Sequence, residues 1–390
     1  MLIDHAIWWH VYPLGAVGAP VHDPDEPGEH HRLRRLEAWL DYAIELGCSG
    51  LLLAPIFQSS SHGYDTLDHF RIDPRLGDDA DFDHLMDAAR QRGLLVMLDG
   101  VFNHVGRDHP LAATLGTSSG WEGHESLIEL DHANPAVAEL VVEVMLHWLR
   151  RGIVGWRLDV AYAVPAEFWR TVLPRVRAEF PDAVFLGEVI HGEYDQIMAE
   201  STLDTITQYE LWKAIWSSLK DANFWELAWS LERHDQFSAD HVLNTFVGNH
   251  DVDRIASVVG DDGAALAAVL LLTLPGMPSI YYGDEQGFRG TKTEGFRADD
   301  PLRPELPDDP AQLAGVGAWL HRLYQQLVGL RRRHSWLTRA RVNVLDKQNE
   351  QIRYECVGAA GERLEAEVRL EPVASAVVRV EGETFTWTAE

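Results

Sequence analysis

One feature limits this fold more than any other: short apolar runs recur along the chain, with amphipathic stretches between them. The runs are "AIWWHVY" (6–12), "GLLLAP" (50–55), "LLVMLDG" (94–100), "GWRLDV" (155–160), "VFLGEV" (184–189), "TITQY" (205–209), "LNTFVGN" (243–249) and "MPSIYYG" (277–283). Helix-patterned stretches fall between them, at 31–46, 81–92, 135–151, 166–179 and 263–274. A strand that is apolar along its whole length is buried on both faces, as in a parallel sheet covered by helices. Eight such units in about 280 residues predict an α/β protein built on a (β/α)8 TIM barrel. A doubly wound open sheet would call for a glycine-rich phosphate loop. "GAVGAP" (15–20) does not match that pattern.

Two segments depart from the repeat. After the third run, "VGRDHPLAATLGTSSGWEGHESLIELDHANP" has no clear period and is long for a βα loop. It predicts a reduced insertion or lid over 104–134. From residue 336 the chain changes to period two in "ARVNVLD", "QIRYECV", "RLEAEVRL" and "ASAVVRV". Ile352, Tyr354 and Cys356 share one side of their strand; Leu364, Ala366, Val368 and Leu370 share one side of theirs. The expected organisation is a barrel over 1–335 and a small C-terminal antiparallel β domain over 336–390. The segment "VHDPDEPGEHH" (21–31) reads as a solvated loop.

Charge excludes some partners. The 390 residues carry a formal net charge of −28, which disfavours nucleic acid and anionic membranes. Two cysteines, Cys48 and Cys356, imply no disulfide framework. The start, "MLIDHAIWWHVYP", lacks a basic segment, a long apolar run and a cleavage site, so no signal peptide is expected. The longest apolar stretch, 264–272, is too short to span a bilayer. The expected location is the cytoplasm.

The polar residues that interrupt the apolar runs fall at their C-terminal ends. In "GIVGWRLDV", Arg157 and Asp159 are two apart, so both point to one side of a strand. The third run ends in Asp99, followed by Asn103 and His104. The fifth ends at Glu188, and the seventh in Asn249, His250 and Asp251. Each has a plain structural reading: an aspartate caps helices, and a glutamate or an Arg–Asp couple forms a buried ion pair. Convergence argues for a site. A barrel gathers the C-terminal ends of its strands on one face, and several buried carboxylates there need charge partners or a function. Glycoside cleavage uses this kind of set: one carboxylate and one carboxylic acid flanking the scissile bond. An adjacent arginine keeps the first ionised, and a raised pKa keeps the second protonated.

Read together, "DGVFNH", "GWRLDVA", "LGEV" and "FVGNHD" resemble, in order, four motifs of the α-amylase family of glycoside hydrolases. "SHGYDTLDHFRIDPRLG" (61–77), "LDTITQYELWKAI" (203–215) and "PGMPSIYYGDEQG" (275–287) extend the resemblance over residues 1–330. "RLDVAYAVPAEFW" and "YDTLDHF" lean towards neopullulanase and cyclomaltodextrinase relatives. The resemblance implies that Asp159 is a nucleophile and Glu188 an acid/base. Asp251 would hold sugar hydroxyls, Arg157 would orient Asp159, and His104 and His250 would hydrogen-bond the sugar. Tyr64 would stack under the ring, Asp99 and Asn103 would support the third strand end, and Asp65 would touch the non-reducing end.

Many family members bind calcium through the asparagine of "DGVFNH", the insertion, and a Lys-His pair after the nucleophile. Here Val160, Ala161 and Tyr162 follow Asp159, so no cofactor or metal is expected. HExxH and CxxC spacings, which would suggest zinc, do not occur. Among the 14 tryptophans, Trp121 and Trp212 are candidate sugar platforms, while Trp8, Trp9 and Trp156 read as barrel packing. The expected activity is retaining hydrolysis of α-glucosidic, mainly α-1,4, bonds in soluble oligosaccharides. A transglycosylase or isomerase on the same site is the alternative. A non-catalytic sugar-binding relative would lack one of the acids, and all are present.

Overall fold

The eight apolar runs close on one another. In the computed structural model, which describes residues 2–22, 28–295 and 297–389, they become β1 (Trp8–Val11), β2 (Gly50–Leu53), β3 (Leu95–Gly100), β4 (Gly155–Leu158), β5 (Val184–Gly187), β6 (Thr205–Ile206), β7 (Asn244–Thr245) and β8 (Met277–Tyr281). All are parallel and pair in the order β6-β5-β4-β3-β2-β1-β8-β7. A parallel bridge between Thr207 and Asn244 brings the two ends of that row together. The expected (β/α)8 barrel is therefore the observed fold. Residues 23–27 of the acidic loop lie outside the described residues.

Side-chain alternation sorts the strands into two layers. Trp8, Leu52, Met97, Leu186 and Met277 form a cluster inside the ring, where the Trp8 indole N–H donates to Met277 Sδ at 3.3 Å. Their neighbours Trp9, Leu51, Leu53, Val96, Leu98 and Trp156 belong to the larger core shared with the helices. Trp9 stacks on Trp39 with ring centroids 5.9 Å apart. Each large apolar side chain buried this way contributes about 1.5–3 kcal/mol. Gly155 is required where β4 meets β5: a Cβ there would lie 2.1 Å from the Val184 carbonyl oxygen. One step further along four of the strands the inward residue is polar: His10 after Trp8, Asp99 after Met97, Glu188 after Leu186, and Arg157 then Asp159 on β4. The ring is thus dry at its N-terminal end and ionic at its C-terminal end.

The helices that place the site are α1 (Leu40–Leu46), α2 (Asp79–Gln91), α3 (Pro135–Arg150), α4 (Ala166–Arg177), α5 (Tyr194–Ser201), α6 (Tyr209–Lys220), α7 (Trp225–Phe237), α8 (Ile255–Thr273) and α9 (Ala318–Arg333). Asp78 and Asp81 form a reciprocal capping box at the start of α2. By length and composition α8 would suit a membrane span, but two-thirds of its apolar window is buried inside the protein, and Gly260 (φ 73°) breaks its helical path.

The segment after β3 is more ordered than its sequence suggests. His104–Gly106, Gly116–Gly120 and Leu127–Leu130 form a three-stranded antiparallel sheet, with a helical turn at Ala112–Leu115. "GTSSG" carries no apolar alternation, which hid its strand. Beyond α9, five antiparallel strands follow in sequence order: β9 (Arg341–Lys347), β10 (Gln351–Val357), β11 (Arg363–Arg369), β12 (Ser375–Val380) and β13 (Glu383–Thr388). Register sets Ile352, Tyr354 and Cys356 opposite Val368, Ala366 and Leu364, giving one buried face. That face meets the end of α8, where the Tyr354 and Thr273 hydroxyls lie 2.6 Å apart and Cys356 Sγ contacts Thr273 O. Cys48 and Cys356 are both free and buried.

Candidate active site

Strand register makes the first contact. Asp99 on β3 pairs with Arg157 on β4, and both side chains point inward. Arg157 Nη1 donates to Asp99 Oδ2 at 2.5 Å and to Asp159 Oδ1 at 3.3 Å, while Nη2 lies 2.5 Å from Glu188 Oε1. One guanidinium therefore holds carboxylates from three strands. The ladder continues one residue past each strand: the Asp159 N–H donates to Gly100 O and the Glu188 N–H to Leu158 O.

Glu188 is held on more than one side. Val160, next to Asp159, sits at φ 49°, a left-handed conformation that strains a β-branched residue. The turn points its N–H at Glu188 Oε2, at 3.1 Å. Tyr209, the first residue of α6, donates its O–H to Glu188 Oε1 at 3.1 Å and accepts from Asn249 Nδ2 at 2.8 Å.

Asp251 follows β7. Its Oδ2 lies 3.0 Å from His250 Nε2, and its Oδ1 accepts from Arg303 Nη2 at 3.1 Å. Arg303 also donates to His250 O at 3.0 Å and lies over the Tyr12 ring. The Asp251 side chain is 39% exposed, against 7% for Asp159 and 5% for Glu188. Of the three carboxylates, Asp251 is the one open to solvent.

The fields on these groups differ. Burial, and then the charge of Glu188, push the Asp159 carboxyl well above the usual carboxylate range; Arg157 opposes them and does not win. The sequence predicts that Arg157 keeps Asp159 ionised, yet its shortest contacts go to Asp99 and Glu188. Asp99 is pushed up to about 6 by burial, against the pull of Arg157. Burial would raise Asp251 too, but His250, Arg303 and Arg157 outweigh it and hold this carboxyl well below the usual range.

The remaining sequence candidates line the same mouth. Tyr64 donates its O–H to Asp99 Oδ2 at 2.9 Å, accepts from His250 Nε2, and stacks its ring on that imidazole. Asp65 accepts from the Ser61 N–H at 3.0 Å and the Ser61 hydroxyl at 2.6 Å, so its two oxygens brace the turn that carries Tyr64. His104 donates from Nε2 to Tyr64 O and accepts at Nδ1 from Asn103 Nδ2, each at 3.1 Å. Both ring nitrogens are thus engaged within the protein, and burial holds the imidazole down at about 4. Trp121 stacks on His104, while Trp212 lies edge-on to Tyr209 and nearly parallel to Phe246.

Sequence reasoning missed Tyr209, Arg303 and the role of Asn249. Tyr209 and Asn249 sit in segments already marked as strand ends. Arg303 has no such signal: it lies in an irregular stretch after β8 and reaches Asp251 only through the fold.

Among the described residues Asn103 Oδ1 is buried without a hydrogen-bond partner, an oxygen of the kind calcium takes. No group of three or more His, Cys, Asp or Glu side chains is placed to hold a metal among them.

Comparison with known proteins follows the same lines. Residues 32–119 and 121–312 match the family described as "Alpha amylase, catalytic domain". The chain is 32% identical over 340 residues to neopullulanase 2 of Thermoactinomyces vulgaris, covering 78% of this chain and 56% of that protein. It is 32% identical over 346 residues to a cyclomaltodextrinase of Geobacillus thermopakistaniensis, covering 80% and 57%. It thus spans little more than half the length of these curated relatives. Among solved structures, the debranching enzyme of Nostoc punctiforme aligns with a TM-score of 0.79 at 26% identity, over 96% of this chain and 89% of that one. The cyclic α-maltosyl-(1→6)-maltose hydrolase of Arthrobacter globiformis shares the fold, with a TM-score of 0.82 at 24% identity over 100% and 99%.

Proposed function

Because the chain belongs to the α-amylase family of glycoside hydrolases, we propose that it is a retaining hydrolase of α-glucosidic bonds, mainly α-1,4, in maltooligosaccharides or related small α-glucans. One observation carries this reading: Arg157 joins Asp159 and Glu188 at the mouth of a single barrel, with Asp251 beside them. The names of the relatives, a neopullulanase, a cyclomaltodextrinase and a maltogenic α-amylase, support an α-glucan as substrate.

In this reading the reaction starts with Asp159 as the carboxylate and Glu188 carrying the proton it will donate. A carboxylate oxygen of Asp159 attacks the anomeric carbon and forms an ester bond. The bond to the leaving glucosyl oxygen breaks, and that oxygen takes the proton from Glu188. Water then loses a proton to the Glu188 carboxylate and attacks the same carbon. The ester bond breaks and returns the electron pair to Asp159. Two inversions leave the α configuration unchanged. Asp251, held anionic, accepts hydrogen bonds from ring hydroxyls and favours the positive charge that develops on the sugar. The Val160 N–H and Tyr209 O–H orient Glu188 through both steps.

The test is turnover and stereochemistry. Asp159→Ala should lose at least about 10⁴-fold in kcat on maltotriose, because the residual rate of enzymes lacking a catalytic group is that low. Proton NMR of early wild-type product should show the α anomer first. Full activity in the variant, or β anomer first, would refute the assignment. Products longer than the substrate at high maltose concentration would identify transfer to a sugar hydroxyl in place of water.

A further inference from the structure

Between β8 and α9 the described residues form only short helical turns, the one before Arg303 being Asp300–Leu302. No strand register places Arg303, yet its guanidinium meets Asp251. A second arginine holds the stretch. Arg254 lies three residues after Asp251, at the entry to α8, and is fully buried. Its Nε and Nη2 both donate to Leu302 O, at 3.1 and 2.8 Å. The Tyr281 hydroxyl donates to the same oxygen at 3.0 Å, and the Arg254 guanidinium lies 4.0 Å from the centre of the Tyr281 ring. Beyond Arg303, the Tyr282 hydroxyl donates to Pro304 O at 2.8 Å.

The two arginines cross between two segments. Arg254 comes from the segment of Asp251 and grips the backbone beside Arg303. Arg303 comes from the later segment and donates to His250 O and Asp251 Oδ1. Peptide units are planar, so tying the carbonyls on both sides of Arg303 fixes the direction in which its side chain leaves the chain. A fixed root lowers the entropy lost when a long guanidinium side chain is held in one place. The anchor is itself held: Arg254 Nη1 donates to Tyr282 O at 2.6 Å and to Asp284 Oδ1 at 2.9 Å, and its N–H donates to Gly290 O. Gly290 leaves room for this crossing, since a Cβ there would lie 2.0 Å from Pro301 O. Asp284 neutralises Arg254 locally, so what Arg254 does at Asp251 passes through Arg303.

From this we propose that Arg254, with Tyr281, is a positioning residue for the reaction: the crossed arginines set where Arg303 stands against Asp251, and so how firmly that carboxylate is held for the sugar. This rests on the part given to Asp251 in the hydrolase reading.

The experiment is a mutant cycle on maltotriose turnover. Arg254→Lys keeps the charge and loses the fork; kcat should fall about tenfold while KM changes by less than about twofold. Tyr281→Phe keeps the ring and loses one donor. It should cost about fivefold in kcat, the scale of one net hydrogen bond, whether or not the lysine variant folds. Both act through Arg303, so in an Arg303→Leu background Tyr281→Phe should alter kcat by less than about twofold. Tyr354→Phe loses the buried contact to the Thr273 hydroxyl and is the control: a comparable fall in melting temperature with kcat unchanged. The same loss from Tyr281→Phe in both backgrounds would overturn the proposal, as would an equal loss of kcat in the control. If the parent hydrolyses no α-glucan, the hydrolase reading falls, and a crystal structure of Tyr281→Phe decides on the positioning alone. Arg303 Nη2 displaced from Asp251 Oδ1 would uphold it, and an unmoved Arg303 would refute it.

Discussion

His234 should make the protein's stability depend on pH in a calculable way. It lies on α7, fully buried. Its Nδ1 accepts from Gln208 Nε2 at 3.2 Å, and its Nε2 donates to Pro275 O at 3.0 Å. Protonation at Nδ1 would set two donors face to face. Gln208 cannot simply turn over, because its Oε1 caps α6 by accepting the Leu211 N–H. Burial accordingly holds the imidazole at about 4, from an ordinary value near 6.5. The folded pKa is depressed, so the unfolded chain binds the proton more tightly between pH 6.5 and 4. Stability from this group is therefore complete above that window and falls as pH drops through it. At pH 5 the loss is about 2 kcal/mol relative to pH 7, growing to about 3 kcal/mol at pH 4. Urea unfolding of the parent and of His234→Gln at pH 7 and pH 5 isolates the effect. The stability gap between the two proteins should narrow by about 2 kcal/mol at the lower pH. Equal gaps at both values would refute the reasoning.

Three further outcomes follow from the geometry. Val160→Gly should relieve the left-handed strain and stabilise the fold by about 1 kcal/mol, while loosening the N–H on Glu188 and slowing turnover roughly tenfold; a rise in melting temperature with kcat unchanged would separate strain from function. Arg303→Leu removes a cation that keeps Asp251 ionised. Its carboxyl should rise, the acid limb of kcat/KM should move to higher pH, and kcat/KM should fall roughly a hundredfold; an unmoved limb would count against the role given to Asp251. Arg331 is buried and donates to the carbonyls of Leu272, Leu274 and Gly276. Arg331→Leu should cost about 3 kcal/mol in chemical denaturation, since three buried acceptors lose their donor, and a loss within error would mean that water replaces it.

Much of this architecture could be read from the chain because burial on both faces leaves a strong mark. Strands such as "GLLLAP" and "VFLGEV" tolerate almost no polar residue until the last inward position, so Asp99, Arg157, Asp159 and Glu188 stand out against an apolar background. The C-terminal sheet was legible for the opposite reason: one wet face forces strict alternation, as in Ile352, Tyr354 and Cys356. What escaped is what such periodicity does not encode. The small sheet after β3 is built partly from "GTSSG", where backbone pairing rather than burial defines the strand. The hairpin of Phe57–Ser59 with Thr66–Ile72 is irregular in register, so no regular alternation marks it. Arg303 reaches Asp251 across 52 residues, and nothing local marks it. The upward push on the Asp159 carboxyl was also beyond the sequence. Two-residue spacing placed Arg157 on the same side, but only the fold reveals how many other anions compete for it.

That competition has a consequence of its own. Asp99, Asp159 and Glu188 all draw on Arg157, so none has an electrostatic environment independent of the others. Asp99→Asn would remove no group assigned to bond-making, yet it would release Nη1 to turn towards Asp159. A residue that forms no bond in the reaction thereby sets how much cationic character is left for the nucleophile.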